Sequence, residues 1–197
     1  MSKGLPVLVL GGGGHACVLL DQLRNAERQV LGVLDPNAMV GTSIMENPVV
    51  GDDSYLDTLA PGKIELINGI GMLPGNLRRI ECFNNLTFRG FKFASVISDE
   101  AAISASVTFE VGAQVLRGVV IQPNVFVGKN VVVNTNSSID HGCVLESNVW
   151  ISPGVTICGD VRIGENSYIS AGVTILQGVS LKPQTVIPAG SVVKPNS

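Results

Sequence analysis

From Ile97 to Val193 a large apolar residue returns at every sixth position with no insertion, a regularity that only a few backbone architectures can satisfy. The series runs Ile97, Ile103, Phe109, Val115, Ile121, Val127, Val133, Ile139, Leu145, Ile151, Ile157, Ile163, Ile169, Ile175, Leu181, Ile187 and Val193, and only Phe109 is not Val, Ile or Leu. Four residues after the anchors come small or β-branched side chains, among them Ala113, Val119, Ser137, Cys143, Val155 and Ser167, which suit a narrow interior. Glycine and Asx residues stand between (Gly112, Gly128, Asn130, Gly154, Gly164, Asn166, Gly172, Gly178), where a turn is expected and a positive φ costs least. One hexad is therefore one short strand and one turn, and three hexads close a triangular coil. A single coil cannot bury its own aliphatic side chains, so coils must stack. Residues 96–197 are expected to form a parallel β-helix of hexapeptide repeats.

Residues 1–95 follow a different pattern. Val7–Leu10 is an apolar run that meets Gly11–Gly14, and His15–Asn25 then carries Ala16, Leu19, Leu20 and Leu23 at helical spacing. Val30–Leu34 predicts a second strand ending at Asp35, Asp53–Leu59 a short helix, Lys63–Ile67 a third strand and Asn76–Asn85 a second helix. This alternation argues for an α/β unit, a Rossmann-like βαβαβ domain with a parallel sheet.

The remaining sequence narrows the partners. The net charge is −3 and charged residues make up 15%, with no Lys/Arg run interleaved with aromatics, so a nucleic-acid footprint is missing. No stretch of about 18 uncharged apolar residues occurs. The opening MSKGLPVLVLGGGG has neither the length nor the small-residue cleavage site of a secretory signal, so a cytoplasmic protein without membrane attachment is expected. Cys17, Cys82, Cys143 and Cys158 form no CxxC and have no neighbouring histidine pair, which leaves four reduced thiols and no metal site as the expectation.

Two motifs carry chemistry. Gly11-Gly12-Gly13-Gly14-His15-Ala16 lies between a strand and a helix, and Asp35 ends the next strand. Glycines there let backbone N–H groups approach a phosphate at the helix N-terminus, while the carboxylate can accept from ribose or base. A unit of this size does not comfortably hold the second half of a dinucleotide fold, so a single nucleotide diphosphate fits better. The repeat region holds one histidine, His141, third in its hexad and hence beside a turn and outward-facing. An exposed imidazole suits a general base near neutral pH. Cys143 falls in the inward column and reads as buried filler, and Cys158 likewise as structural.

Together, the glycine motif, Asp35, the Asn68-Gly69-Ile70-Gly71 segment with Arg78 behind it, the unbroken hexads and Asn134-Thr135-Asn136-Ser137-Ser138-Ile139-Asp140-His141 resemble the nucleotide-sugar acetyltransferases. The set is similar to the bacterial sialic acid O-acetyltransferases and to sugar acyltransferases of the PglD and perosamine N-acetyltransferase type. This resemblance implies a left-handed β-helix, a homotrimer, acetyl-CoA in a groove between adjacent β-helices, and a nucleotide-linked amino sugar on the N-terminal domain. By position it implies His141 as the base, with Asp140 and Asn134 beside it. Gly159, Trp150, Ala171 and Ala189 would then line the coenzyme, and Gly11, Gly13, Gly14, His15, Asp35 and Gly71 the sugar nucleotide. Gly159 lies one coil after His141, so its N–H could face a thioester carbonyl.

The chain also departs from that pattern. Gly142 stands where many relatives carry an acidic residue, Trp150 where many carry a second histidine, and the Gly-x-Pro-Ala ending is missing after Val193. The ring must then be oriented by Asp140, another carboxylate or the backbone. N-acetylation of a 4-amino-4,6-dideoxy sugar by direct attack on the thioester is the expected reaction. O-acetylation of a sialic-acid-like sugar and a non-catalytic β-helix scaffold are the alternatives. A zinc β-helix carbonic anhydrase needs three histidines per metal and fails on count.

Overall fold

The computed structural model describes residues 4–25 and 28–195. The first three residues of the stretch read above for a leader, and the two residues that close the chain, lie outside the described residues. The chain divides into two compact units, Met1–Val96 and Ile97–Ser197. Among the described residues no helix is long and apolar enough to cross a membrane.

The first unit is built on β1 (Val7–Leu10), whose four side chains are all buried. A strand apolar on both faces belongs in the middle of a parallel sheet, and β1 indeed pairs in parallel with β2 (Val30–Leu34) on one side and β5 (Glu65–Asn68) on the other. The helical crossover expected of such a unit is α1 (Gly14–Asn25), which buries Ala16, Leu19, Leu20 and Leu23. The sheet is larger than the three strands expected. β3 (Ser43–Ile44) and β4 (Asn47–Gly51) extend it beyond β2, and β6 (Lys92–Phe93) extends it beyond β5, in the order β3-β4-β2-β1-β5-β6. Among the described strands of this sheet only β3 runs antiparallel, against β4. β3 and β6 are too short to show a period of two, and Pro48 inside β4 argues against a strand, which is why the sequence does not display them.

The second helix, α2 (Arg78–Phe88), starts two residues later than its spacing suggests, because the Asn76 carboxamide oxygen accepts the Arg78 N–H at 3.0 Å. The short helix expected at Asp53–Leu59 is a 3₁₀ segment over Asp53–Thr58, with the Asp52 carboxylate accepting from Ser54.

The second unit is a left-handed parallel β-helix, in which two-residue strands from Val96–Ile97 to Val192–Val193 stack into three sheets. Registers such as Ile121↔Ile139↔Ile157↔Ile175↔Val193 put every anchor on its counterpart one full coil away. Interior anchors are buried to within 1% of complete, whereas Ile97, Ile187 and Val193 at the ends keep some exposure because no further coil covers them. From Gly112 to Gly190 the residue three after each anchor has a positive φ: Gly, Asn, Asp160 or Gln184. Gly128 and Gly164, read above as turn residues, are not in this conformation. They permit close approach between coils instead, since a Cβ at Gly164 would lie 2.4 Å from the Pro183 nitrogen and one at Gly128 would lie 2.9 Å from backbone atoms of Glu146 and Ser147. Where asparagines occupy the same turn on successive coils their side chains bond along the stack, Asn130 donating to Asn148 and Asn148 to Asn166, both at 2.9 Å.

Truncation inside the prism and at its end should differ sharply. Ile157→Ala, at a site 1% exposed between Ile139 and Ile175, is expected to cost about 2–5 kcal/mol, whereas Val192→Ala, at a site 58% exposed, should stay within about 0.5 kcal/mol. Calorimetric unfolding of both variants checks the pair.

Candidate functional site

In the first unit the glycine loop leaves β1 and enters α1. Gly11 takes φ +83° and donates its N–H to the Leu34 carbonyl at 2.8 Å, which turns the chain sharply. Gly12 donates to Asp35 Oδ2 at 2.6 Å, while Asp35 Oδ1 accepts the Asn37 N–H at 2.7 Å. Asp35 thus holds the loop as well as standing beside it. A Cβ on Gly12 would meet that carboxylate at 2.8 Å and Ile44 Cδ1 at 2.3 Å, so a side chain there would displace the Asp35 and Ile44 side chains, a role the motif alone did not single out. Gly13 and Gly14 are exposed, and a Cβ on either would meet nothing within 4 Å. Open space over the first backbone of a helix is what an incoming phosphate needs. His15 and Gly71 adjoin this space, a Gly71 Cβ lying 3.8 Å from the His15 Cβ.

The segment after β5 is held from below by an arginine, but not by the one expected. Arg78 is exposed. Arg79 is 1% exposed and donates through Nη1 to the carbonyls of Asn68 and Ile70, both at 2.7 Å, while the Asn68 amide donates back to the Arg79 carbonyl at 3.1 Å. Burial pushes the Arg79 guanidinium down to about 9, which still leaves it charged at neutral pH. Gly69 sits in this segment with its Cα so close to Leu10, Val9 and Ala16 that a Cβ would fall 2.7–2.9 Å from them.

In the second unit the hexad places Ile139 inward, so Asp140 and His141 turn outward at a corner of the prism. Asp140 Oδ1 accepts the His141 N–H at 2.7 Å and so fixes the turn. One coil on, Gly159 is buried beneath the imidazole: a Cβ there would lie 2.6 Å from Cε1 and 2.7 Å from Nε2 of His141. The next residue, Asp160, brings Oδ1 to 3.9 Å from His141 Nδ1, with the two side chains 59% and 54% exposed. Asp160 was not among the residues singled out from sequence. Its only signal is its place directly after the residue one coil from His141.

The remaining expected residues do not join His141 within the chain. Asn134 follows the strand Val132–Val133 at the preceding corner, buried, its amide donating to the Ile151 carbonyl at 2.6 Å. Ala171 and Ala189 lie exposed at that same corner on successive coils, linked by the Gly190 N–H to the Ala171 carbonyl at 3.0 Å. Trp150 lies within a face, 7% exposed and stacked on Tyr168 with the rings 3° from parallel. Two corners of one coil are separated by the side that one hexad spans, at most about 20 Å of extended chain. Cys143 is fully buried, donates its Sγ–H to the Cys158 carbonyl at 3.1 Å, and burial pushes its thiol pKa up, so a thiolate is disfavoured there.

Residues 6–86 match the family described as PglD N-terminal domain, and residues 142–177 match bacterial transferase hexapeptide (six repeats). The chain is similar to PerB, a perosamine N-acetyltransferase from Caulobacter crescentus solved with CoA and GDP-perosamine. The identity is 29% over 97% of this chain and 89% of that one, with a TM-score of 0.87. A histidine-to-asparagine variant of the perosamine N-acetyltransferase, also holding CoA and GDP-perosamine, superposes at 0.88 with 28% identity and the same coverage. The acetyltransferase domain of PglB from Neisseria gonorrhoeae FA1090, solved with acetyl coenzyme A, shares 28% identity over 96% of this chain and 91% of that one, with a TM-score of 0.88.

The buried arginine gives a sharp test of the loop's support. Arg79→Met leaves two buried carbonyls without their donor and is expected to destabilise the protein by about 2–4 kcal/mol, whereas Arg78→Ala should change stability by less than about 0.5 kcal/mol. Urea unfolding of the two variants side by side measures the difference.

Proposed function

We propose that the chain, which matches the PglD N-terminal domain over residues 6–86 and the bacterial transferase hexapeptide over residues 142–177, is an acetyl-CoA-dependent N-acetyltransferase acting on a nucleotide-linked amino sugar of the 4-amino-4,6-dideoxy class. The observation that carries the reading is the exposed His141 imidazole lying on the backbone of Gly159 at a prism corner. Support for the substrate class comes from relatives matched along nearly the whole chain, which hold CoA with GDP-perosamine, or acetyl coenzyme A.

The sugar amine attacks the thioester carbonyl as its N–H proton passes to His141 Nε2, since Nδ1 faces Asp160. The Gly159 N–H donates to the oxyanion of the tetrahedral intermediate. Collapse breaks the C–S bond, and the proton held on the imidazole goes to the coenzyme A thiolate, leaving the base free for another turnover. Acetyl-CoA is a co-substrate here, coenzyme A leaves as product, and no metal enters the chemistry. The open backbone at Gly13 and Gly14 receives the nucleotide diphosphate, with Asp35, His15 and Gly71 around it.

The chain acts as a homotrimer. Asn134, Ala171 and Ala189 share one corner and His141 and Gly159 another, so a groove lined by both sets forms where the first corner of one subunit meets the second corner of its neighbour. Sedimentation at micromolar concentration is expected to give a trimer, and a monomer would remove the shared groove.

Three variants separate the roles. His141→Asn should lower kcat about 10²–10⁴-fold while both KM values change little, as expected of a group acting mainly in the transition state. Gly13→Val, in open space, should fold normally and raise KM for the sugar nucleotide without raising that for acetyl-CoA. Cys143→Ala should keep turnover, because direct attack needs no acyl-thiol. The assay is thiol release from acetyl-CoA with UDP-, dTDP- and GDP-linked 4-amino-6-deoxy sugars and free sialic acid. Turnover only on a hydroxyl acceptor would indicate O-acetylation, and coenzyme binding without any turnover a scaffold.

A further inference from the structure

We propose that Asp160 is the positioning residue of the base, a carboxylate supplied from the neighbouring coil and not from the coil that carries His141. The inference rests on the reading of His141 as the base. Asp140, the carboxylate on the histidine's own coil, is engaged with the His141 backbone N–H at 2.7 Å and holds the turn. Asp160 is the one described carboxylate within ion-pair distance of the ring, 3.9 Å from Nδ1.

Gly142 makes this arrangement possible. It stands directly under Asp160 in the stack, and a Cβ on it would lie 2.4 Å from Asp160 Oδ1. A side chain at 142 and the carboxylate at 160 in its present place therefore exclude one another. Gly142 and Asp160 have φ of +69° and +58°, so each turn points its residue outward along the same corner. The imidazole is bounded by Gly159 against its ring and by Asp160 beside Nδ1, which leaves Nε2 as the nitrogen for the acceptor. An ion-pair distance with no hydrogen bond gives a hold that strengthens when the ring takes up a proton, and that is the moment at which the transition state needs it.

The other groups around the ring do not substitute. Gln122, Pro123 and Asn124 on the coil below His141 and Leu176, Gln177 and Gly178 on the coil beyond Asp160 carry no titratable group. Cys143 is buried and kept neutral by that burial, and Cys158 bears no charge as a thiol. Asp140 and Asp160 are the charges that face the corner.

The chain holds only His15 and His141, so the two imidazole NMR signals are assignable with one His15→Asn control. Asp160→Asn removes the carboxylate beside Nδ1, which favours the imidazolium, so the midpoint of the His141 signals should fall relative to that of the unsubstituted protein. The shift should shrink in high salt, as both groups are half exposed. In the thiol-release assay the same variant should lose about 5–20-fold in kcat with both KM values within twofold, and the acidic limb of its profile should move to lower pH. Asp160→Glu should restore most of both readouts. Gly142→Asp alone should be impaired by crowding against Asp160, and combining it with Asp160→Gly should recover activity by returning one carboxylate to the corner. An unmoved midpoint overturns the proposal, and so does a moved midpoint with kcat within twofold, which would make Asp160 a bystander charge. A lower kcat with an unmoved midpoint overturns it too, by making the role structural. A His141→Asn variant that keeps its kcat would instead sink the assignment of the base.

Discussion

Everything in the second unit depends on the stacking of three-hexad coils, because a coil alone satisfies neither its side chains nor its backbone. Its aliphatic anchors need anchors above and below, each worth about 1.5–3 kcal/mol when fully buried. Its N–H groups need carbonyls from the neighbouring coil, as when Asp140 donates to Ile157 and Asp160 to His141, both at 2.9 Å. The two requirements share one period and cannot be met separately. An insertion within a strand would put the anchors out of phase with the backbone ladder, whereas one at a turn would have to loop out of the stack; from Ile97 to Val193 neither occurs.

This constraint also explains which parts could be read in advance. Anchors, inward small residues and the placing of His141 over Gly159 follow from counting in hexads and whole coils. Asp160 escapes that count because its contact with His141 is diagonal, one position beyond a full coil. Gly128 and Gly164 were misread for a related reason. Glycine can serve a positive φ or a close approach, and only the position within the hexad separates the two uses: three residues after the anchor for the turn, one residue after it for contact with the coil above.

In the first unit the legible part is the part that repeats physically. β1, α1 and β2 appear because a doubly buried strand, a glycine turn and an amphipathic helix each leave a pattern over several residues. The edge strands β3 and β6 are two residues long and leave none. The exchange of Arg78 for Arg79 is a matter of phase. One residue rotates a helical position by about 100°, so a helix start misplaced by two residues leaves the buried arginine undecided. What decides it is the need of two inward carbonyls, those of Asn68 and Ile70, for a donor that burial makes costly to omit.

The corner chemistry then follows from a division of labour inside each hexad. The anchor and the residue four after it are committed to the interior, and the residue three after the anchor is committed to a left-handed conformation. Asp140, His141, Gly159 and Asp160 occupy the positions left over, or the turn positions where a short polar side chain is tolerated as well as glycine. A site built this way can change one side chain at a time without disturbing the stack, and a group needed at one point can be supplied from the same coil or from the next. Gly142 beneath Asp160 shows how closely neighbouring turns lie: a Cβ at 142 would meet the Asp160 carboxylate where it now stands, whereas Asn130, Asn148 and Asn166 fill successive turns by bonding to one another. The geometry of the prism therefore couples pairs of positions one coil apart, and the chemistry at a corner is set by such pairs more than by any single hexad.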